Sequence, residues 1–340
     1  MDRRSFSKGV FSSLAAVPFI SWNKRRKTIK ARRLQAGDTI GLITPGSYIS
    51  DEGLQKAVDN LGRLGFRIKM GKHIRAKRGY NAGTDQQRLD DLHAMFADQE
   101  VAGIWCARGG YGCSRLLPHI DYELIRNNPK ALIGYSDITA LLMAIYHKTG
   151  LVGFHGPVAS STFTPYTEMH FKAVLVEALS NHSISLSSTL PASDDPAFEQ
   201  FVLKNGKAEG PLMGGNLSLL AALAGTEFLP SPKGHLIFLE EIGEKPYRVD
   251  RMLTQLQQAW PLREASGLAL GIFNDCQPKP DELSLSLKET IQDQAGRLSF
   301  PAAYGFTFGH IDEQCTLPFG INARMDTSAM TLTLLEAAVE

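Results

Sequence analysis

The feature that most constrains this chain is a regular alternation of short apolar β-rich runs with segments of helical periodicity. Asp38–Thr44 (DTIGLIT) ends directly in Pro45-Gly46-Ser47, a small-residue turn of the kind that closes a strand and opens a βα unit. Leu54, Val58, Leu61 and Leu64 then fall at helical spacing, and Phe66–Met70 alternates as a second strand. Thr84 reads as the N-cap of a helix over Asp85–Ala97, with Leu89, Leu92, Met95 and Phe96 on one face. Val101–Ala107 (VAGIWCA) is almost continuously apolar, as a strand covered on both faces must be. Arg108-Gly109-Gly110-Tyr111-Gly112 breaks it. Ala131–Tyr135 repeats the buried-strand pattern, and Asp137–Lys148 reads as helix. Strands and helices alternating at these lengths call for a parallel sheet with helices on its faces.

From about residue 180 the texture changes. Ser183–Asp195 is rich in Ser, Thr, Asp and Pro and marks a linker, taken as 181–207. Beyond it come Gly214-Gly215-Asn216, a strand at His235–Glu240, a helix at Val249–Gln258, and strands at Gly267–Phe273 and Thr331–Leu335. A chain of 340 residues has length for two domains. The expected fold class is α/β: an N-terminal doubly wound parallel-sheet (flavodoxin-like) domain over 34–180, followed after the linker by a C-terminal mixed α/β domain over 208–340.

The formal net charge of +1 conceals an uneven distribution. Ten basic residues and one acid, Asp2, occupy the first 33 positions, and the rest of the chain holds 26 basic and 34 acidic residues, a net of −8. A phosphate-binding surface for nucleic acid is not expected on such a body. Residues 1–33 read as a targeting segment. Arg3-Arg4-Ser5-Phe6-Ser7-Lys8 has the order of a twin-arginine export signal. The apolar stretch Gly9–Trp22 is short for a bilayer span but suits a signal-peptide core. Lys24-Arg25-Arg26-Lys27 lies on the side that would have to cross and opposes translocation. Export to the periplasm is the favoured reading, and a basic arm on a cytoplasmic protein is the alternative. Cys106, Cys113, Cys276 and Cys315 form no CxxC and no Cys/His cluster of metal-site spacing, so buried free thiols are expected and no metal.

The sharpest local feature is Leu132–Thr139 (LIGYSDIT), which puts Ser136 at the junction of a buried strand and a helix. Such a junction can act as a nucleophile elbow, lifting the hydroxyl out of the sheet towards a helix N-terminus. Ile138 replaces the second glycine of G-x-S-x-G, and a serine here is equally a routine N-cap. A nucleophilic serine needs a base and an orienting acid. Among the nine histidines, His93, His147 and His182 read as surface residues. His155 follows the elbow helix and is either structural or site-lining, whereas His310, in Gly309-His310-Ile311-Asp312, sits in a glycine-flanked turn that suits an exposed imidazole. Glu240 and Glu241 end a strand, where α/β enzymes place functional groups, but glutamates are also commonly solvated.

Taken together and in order, Trp105–Gly112, Gly134–Thr139, His155-Gly156-Pro157, Gly214–Leu217, Leu239–Glu244, Tyr247–Arg251 and Gly309-His310 leading to Thr316-Leu317-Pro318 resemble the LD-carboxypeptidase (muramoyl-tetrapeptide carboxypeptidase) family. The resemblance covers nearly all of the body. It implies a Ser-Glu-His triad: Ser136 as nucleophile, His310 as general base and acid, Glu240 orienting the imidazole, with Glu241 as the fallback. It implies an oxyanion hole built from the backbone N–H of Asp137 and one from the Arg108-Gly109-Gly110 loop. The implied reaction is hydrolysis of the bond between the L-centre of meso-diaminopimelate and a terminal D-alanine in peptidoglycan tetrapeptides, with muropeptides as substrates, no cofactor, and a homodimeric assembly. Arg108 and Arg251 are candidates by position for holding the terminal carboxylate. Two alternatives accompany this reading: a relative of the microcin-immunity peptidases that cleaves an aminoacyl-nucleotide antibiotic, and a non-catalytic binder of wall peptides.

Overall fold

A computed structural model describes residues 27–187 and 195–340, so the twin-arginine motif and the apolar stretch behind it lie outside the described residues. The folded body begins before residue 34. Ile29 exchanges backbone hydrogen bonds with Gly150 and Val152, Ala31 and Leu34 are fully buried, and Arg33 and Ala31 pair with Glu340. Lys30 is ion-paired with Glu336 and Arg32 with Asp38. Two isolated apolar residues, Ile29 and Ala31, among the four bases of residues 27–33 do not stand out as an element, which is why composition assigned this stretch to the targeting segment.

In chain order the first half runs β1 (Thr39–Ile43), α1 (Asp51–Arg63), β2 (Arg67–Met70), α2 (Asp85–Ala97), β3 (Val101–Cys106), α3 (Tyr122–Asn127), β4 (Ala131–Gly134), α4 (Thr139–Thr149), β5 (Phe154–His155) and α5 (Pro165–Leu175). Ser50 caps α1 by accepting from Gly53 N–H, and Thr84 caps α2 in a reciprocal capping box with Gln87. Thr164 and Pro165 open α5 in the same economical way. The first sheet has the order β12-β5-β4-β3-β1-β2, where β12 is Leu317–Pro318. Its five N-terminal strands are parallel, and their order, 2-1-3-4-5, is that of a doubly wound flavodoxin-like sheet. Every residue of β3 and β4 is buried, so both faces of the sheet centre are covered. β2, by contrast, is an edge strand whose Arg67 and Lys69 face solvent.

The second half contains β6 (His182–Ile184), β7 (Phe201–Lys204), β8 (Lys207–Asn216), α6 (Leu217–Leu223), β9 (Leu236–Ile242), α7 (Pro246–Ala259), β10 (Gly267–Asn274), α8 (Leu287–Ala295) and β11 (Ala302–Gly309), then, after β12, β13 (Asn322–Asp326) and β14 (Thr331–Leu334). They form an eight-stranded mixed sheet in the order β6-β14-β13-β8-β9-β10-β11-β7, parallel through β8-β9-β10-β11 and antiparallel elsewhere. The 181–207 segment read as a linker therefore supplies both edge strands of this sheet. Its polar composition reflects edge positions rather than the absence of structure, though residues 188–194 are outside the described set. The four cysteines are free and buried.

Both sheets contribute to one continuous apolar cluster. They meet where the end of β8 packs against the start of α4 and the Asn216 backbone N–H donates to Thr139 Oγ1 at 3.1 Å. Gly215 makes this approach possible. Its φ is +132°, and a Cβ there would lie 2.5 Å from Thr139 Oγ1 and 2.6 Å from Cγ2. Gly215→Ala is expected to lower unfolding stability by about 2 kcal/mol or more, from overpacking and backbone strain combined. Urea denaturation checks this, and an unchanged midpoint would contradict the close-packed junction.

Candidate active site

The elbow is real backbone geometry. β4 ends at Gly134, Tyr135 is extended, and Ser136 sits at φ +63° before a short 3-10 turn, Ser136–Ile138, leads into α4. Holding an L-residue in the left-handed region costs about 1–2 kcal/mol, so the conformation persists only because its surroundings over-determine it. The loop after β3 is part of those surroundings. A Cβ on Gly109 would stand 2.9 Å from Ser136 Cβ and 3.2 Å from its Oγ, so only glycine lets this backbone lie beside the serine hydroxyl. The loop is fastened on both sides: Ser47 N–H donates to the Gly109 carbonyl at 3.2 Å, and Tyr111 N–H donates to Ser47 Oγ at 3.1 Å. From the elbow itself, the Asp137 carboxylate accepts from Cys113 N–H at 3.0 Å. Asp137 is buried, and burial pushes its carboxyl above the usual range despite the Cys113 hydrogen bonds that pull the other way. Its side chain thus anchors the loop.

The base and acid candidates come from the second sheet. Glu240 lies near the end of β9, in register with Asn216, and His310 directly follows β11. His310 Nδ1 and Glu240 Oε2 are 2.7 Å apart, with the imidazole 13% exposed and the carboxylate 0%. Burial alone would raise the Glu240 carboxyl, but the charge and hydrogen bond of His310, with smaller help from His155 and Asn216, hold it below the ordinary value. Burial likewise disfavours a charged His310, yet attraction and hydrogen bonding from Glu240, with the charge of Glu241, outweigh it and raise the imidazole. The Asn274 amide donates to the His310 carbonyl at 3.0 Å, and the Gln314 amide donates to that of Gly309, so the histidine loop is held from both ends.

Glu241 points elsewhere, as alternation along a strand demands. Its carboxylate accepts from the Asn216 amide at 2.9 Å and from both the N–H and the hydroxyl of Ser218 at 2.7 Å. Of the two glutamates, Glu240 is thus the one hydrogen-bonded to His310. Tyr135, the residue before Ser136, packs against the His310 imidazole at a tilt of 57° with centroids 4.8 Å apart, which brings the elbow and the Glu240–His310 pair to one place. Arg108 is at the rim, its Nη1 donating to the Tyr48 carbonyl at 3.0 Å. Arg251 is exposed on α7, and among the described residues no hydrogen bond or ion pair joins it to this cluster.

The remaining histidines divide differently from expectation. His155 is fully buried, packed edge-on against Tyr135 and Phe238, and burial drives its imidazole down to about 4. It is a neutral core residue beneath the site. His93, His147 and His182 are each half-buried rather than surface groups. His93 Nε2 accepts from Asp121 N–H, and His182, on β6, lies 2.8 Å from His170 Nδ1. Sequence reasoning passed over Tyr135 and gave Asn216 no function of its own. The only available signal was their place inside the recurrent blocks around Ser136 and Gly214. The described residues hold no group of three or more His, Cys, Asp or Glu placed to bind a metal ion, and no helix long and apolar enough to cross a membrane.

A strained serine, a glycine loop beside it, and a carboxylate–imidazole pair packed against its neighbour form an arrangement suited to acyl transfer. Comparison with known proteins agrees. Residues 40–156 match the model of the LD-carboxypeptidase N-terminal domain and residues 209–325 that of the LD-carboxypeptidase C-terminal domain. The chain belongs to the LD-carboxypeptidase family. This family member is 41% identical over 315 residues to a "Probable murein peptide carboxypeptidase" of Bacillus subtilis, covering 91% of this chain and 95% of the relative. It is 34% identical over 293 residues to the murein tetrapeptide carboxypeptidase of Pseudomonas aeruginosa, covering 84% and 92%. Its structure is similar to that of the microcin C7 self-immunity protein MccF in the wild-type apo state, with a TM-score of 0.82 at 26% identity, over 92% of this chain and 100% of that one. The carboxypeptidase family and a two-sheet α/β fold are thereby established for this chain.

The left-handed Ser136 generates a stability test. Ser136→Gly relieves the strain and Ser136→Ala keeps it, so the glycine variant is expected to be the more stable of the two by about 1 kcal/mol. Thermal melts of both variants check this, and an alanine variant at least as stable would show that the elbow is unstrained.

Proposed function

We propose that this chain is a serine LD-carboxypeptidase that hydrolyses the bond between the L-centre of meso-diaminopimelate and the terminal D-alanine of murein tetrapeptides, in wall turnover or recycling. The observation that carries the reading is the buried Glu240–His310 pair, 2.7 Å apart, beside a serine held at φ +63°. The substrate class comes from the relative named a murein tetrapeptide carboxypeptidase.

In this reading Glu240 accepts from Nδ1–H of His310 and so leaves Nε2 as the basic nitrogen. Nε2 takes the Ser136 hydroxyl proton as Oγ attacks the scissile carbonyl. Backbone N–H groups of Asp137 and of the Gly109-Gly110 loop receive the oxyanion, each such donor contributing about 2.7–4 kcal/mol to the transition state. His310 then returns the proton to the departing D-alanine amine, and water, activated by the same imidazole, releases the tripeptide. The basic rim residue Arg108 is the nearer of the two arginine candidates for the substrate carboxylate. The reading extends to a homodimer and to export directed by Arg3-Arg4. The similarity to MccF supports a second reading, cleavage of an aminoacyl-nucleotide antibiotic by the same triad.

The test is D-alanine release from a disaccharide tetrapeptide, run beside hydrolysis of an aminoacyl sulfamoyl adenosine. Wild type is expected to favour the tetrapeptide, and Ser136→Ala and His310→Ala to lower kcat by about 10⁴-fold or more. Undiminished release by either variant rules out the assigned roles. The pH profile gives an independent check. His310 must be neutral to act as base, and its raised pKa places the acid limb of kcat/KM above the ordinary histidine value of 6.5. Glu240→Gln removes the group that raises it, so the limb is expected to move to lower pH while the rate falls. An acid limb that stays in place in Glu240→Gln means that the limb does not report on the Glu240–His310 pair.

A further inference from the structure

The edge of the first sheet that carries the elbow also carries a surface that catalysis does not use. β1, β2, β3 and β4 are parallel, so the loops that follow them share one edge, the edge where ligands of such sheets bind. Three of these loops are knitted together. Ser47, after β1, bonds to Gly109 and Tyr111 after β3, and forms an isolated bridge with Asn81, in the loop after β2. The loops present three tyrosines to solvent: Tyr48 at 37% exposure, Tyr80 at 62% and Tyr111 at 57%. Tyr80 and Tyr111 meet edge to face, with centroids 5.1 Å apart, and form a ridge.

The charge of this shelf runs against that of the body. Residues 71–83 contain Lys72, Arg75, Lys77 and Arg78 and no acid, on a chain whose residues after position 33 sum to −8. Arg75 is neutralised by Asp51, and Arg115, beside the two tyrosines, by Asp85. Lys77 lies over the Tyr48 ring, 5.1 Å from its centroid, within electrostatic reach of Glu52 but in no ion pair among the described residues. Arg78 is exposed, and its backbone closes the turn against Asn81. Two exposed cations in no ion pair among the described residues, one over Tyr48 and the other two residues before Tyr80, on the sheet edge that carries the strained serine, are complementary to a ligand with free carboxylates and an alkyl body.

We propose that Lys77 and Arg78, with the Tyr80–Tyr111 ridge, form the subsite for the stem peptide upstream of the scissile bond, and that the two cations read the free α-carboxylate of its γ-linked D-glutamate. The proposal rests on the murein-tetrapeptide reading. The leaving D-alanine lies on the other side of the scissile bond, so this recognition selects the peptide without touching the reacting atoms. Lys77 and Arg78 are specificity residues rather than catalytic ones.

The test uses binding as its main readout, because binding does not require turnover. Calorimetry of full-length Ser136→Ala protein with the tetrapeptide, and with the same peptide carrying D-isoglutamine in place of D-glutamate, compares a free with an amidated carboxyl. The free carboxylate is expected to bind about tenfold tighter or more, as charge-assisted hydrogen bonds do. Adding Lys77→Ala and Arg78→Ala is expected to bring both peptides to the weaker value. Raised salt is expected to shrink the difference in the parent protein. Equal affinity for the two peptides in the parent, a difference that survives in the triple variant, or no binding of either peptide overturns the proposal. D-alanine release by the wild-type protein, measured in parallel, separates the two readings. Release without discrimination keeps the carboxypeptidase and discards the subsite. Discrimination without release keeps the subsite and discards the peptidase.

Discussion

The hydrogen bond from the Asn216 backbone N–H to Thr139 Oγ1 is the contact on which the arrangement depends. Thr139 opens the helix that follows the elbow, and Asn216 ends the strand beside Glu240. A parallel sheet exposes its catalytic edge at one end only, so two such sheets build a joint site only if those ends are pressed together. Asn216 does this with several atoms at once. Its backbone meets the first sheet's helix, its side-chain oxygen caps α6 by accepting from Leu219 N–H, and its amide donates to Glu241. Glu241 in turn gathers Ser218 at the start of α6. One glutamate of the pair thus braces the junction, and the other faces the histidine.

That division explains why two adjacent carboxylates can both be buried. An isolated buried carboxylate is expensive, and its usual escape is protonation. Glu241, with burial and the neighbouring Glu240 both acting against its charge, is pushed upward in pKa even though it accepts several hydrogen bonds. Glu240 is pushed down, because it faces an imidazole that can take up the opposite charge. Two like groups one residue apart are thus pushed in opposite directions by the surroundings of the two faces of a strand. The fully buried His155, kept neutral by its apolar cage, lets the Tyr135 ring rest against His310 without placing a second cation near it.

Much of this was readable in the residues. The first sheet could be inferred because buried parallel strands are written as unbroken apolar runs, and VAGIWCA and ALIG can hardly be anything else. Ser136 could be located because a strand, a serine and a helix abut there. His310 stood out because of its glycine-flanked turn, though its imidazole is mostly buried, at 13% exposure, rather than exposed as that turn suggested. What could not be read shares a physical character. β6 and β7 are edge strands, half solvated and rich in polar residues, so their composition matches that of a linker. The Glu240–Glu241 register depends on which face of β9 looks towards β11, a fact of strand pairing across many residues that neither glutamate encodes locally. The partial burial of His93 and His147 on helices and of His182 on edge strand β6 comes from tertiary contacts that local pattern does not encode.

The same limit applies to charge. Composition averages a basic head and an acidic body to near zero, and even the body's net of −8 misdescribes the edge where a ligand must arrive. Fields near a site are governed by groups within about a Debye length, 8–10 Å at ordinary salt. The bases after β2 fall within residues 72–78, but only the parallel sheet of order 2-1-3-4-5 places their loop on the same edge as the serine, two strands away from β3. Topology thus turns an unremarkable basic stretch into a feature of the active-site rim. It sets positive charge on the edge that carries Ser136, against the sign of the body as a whole.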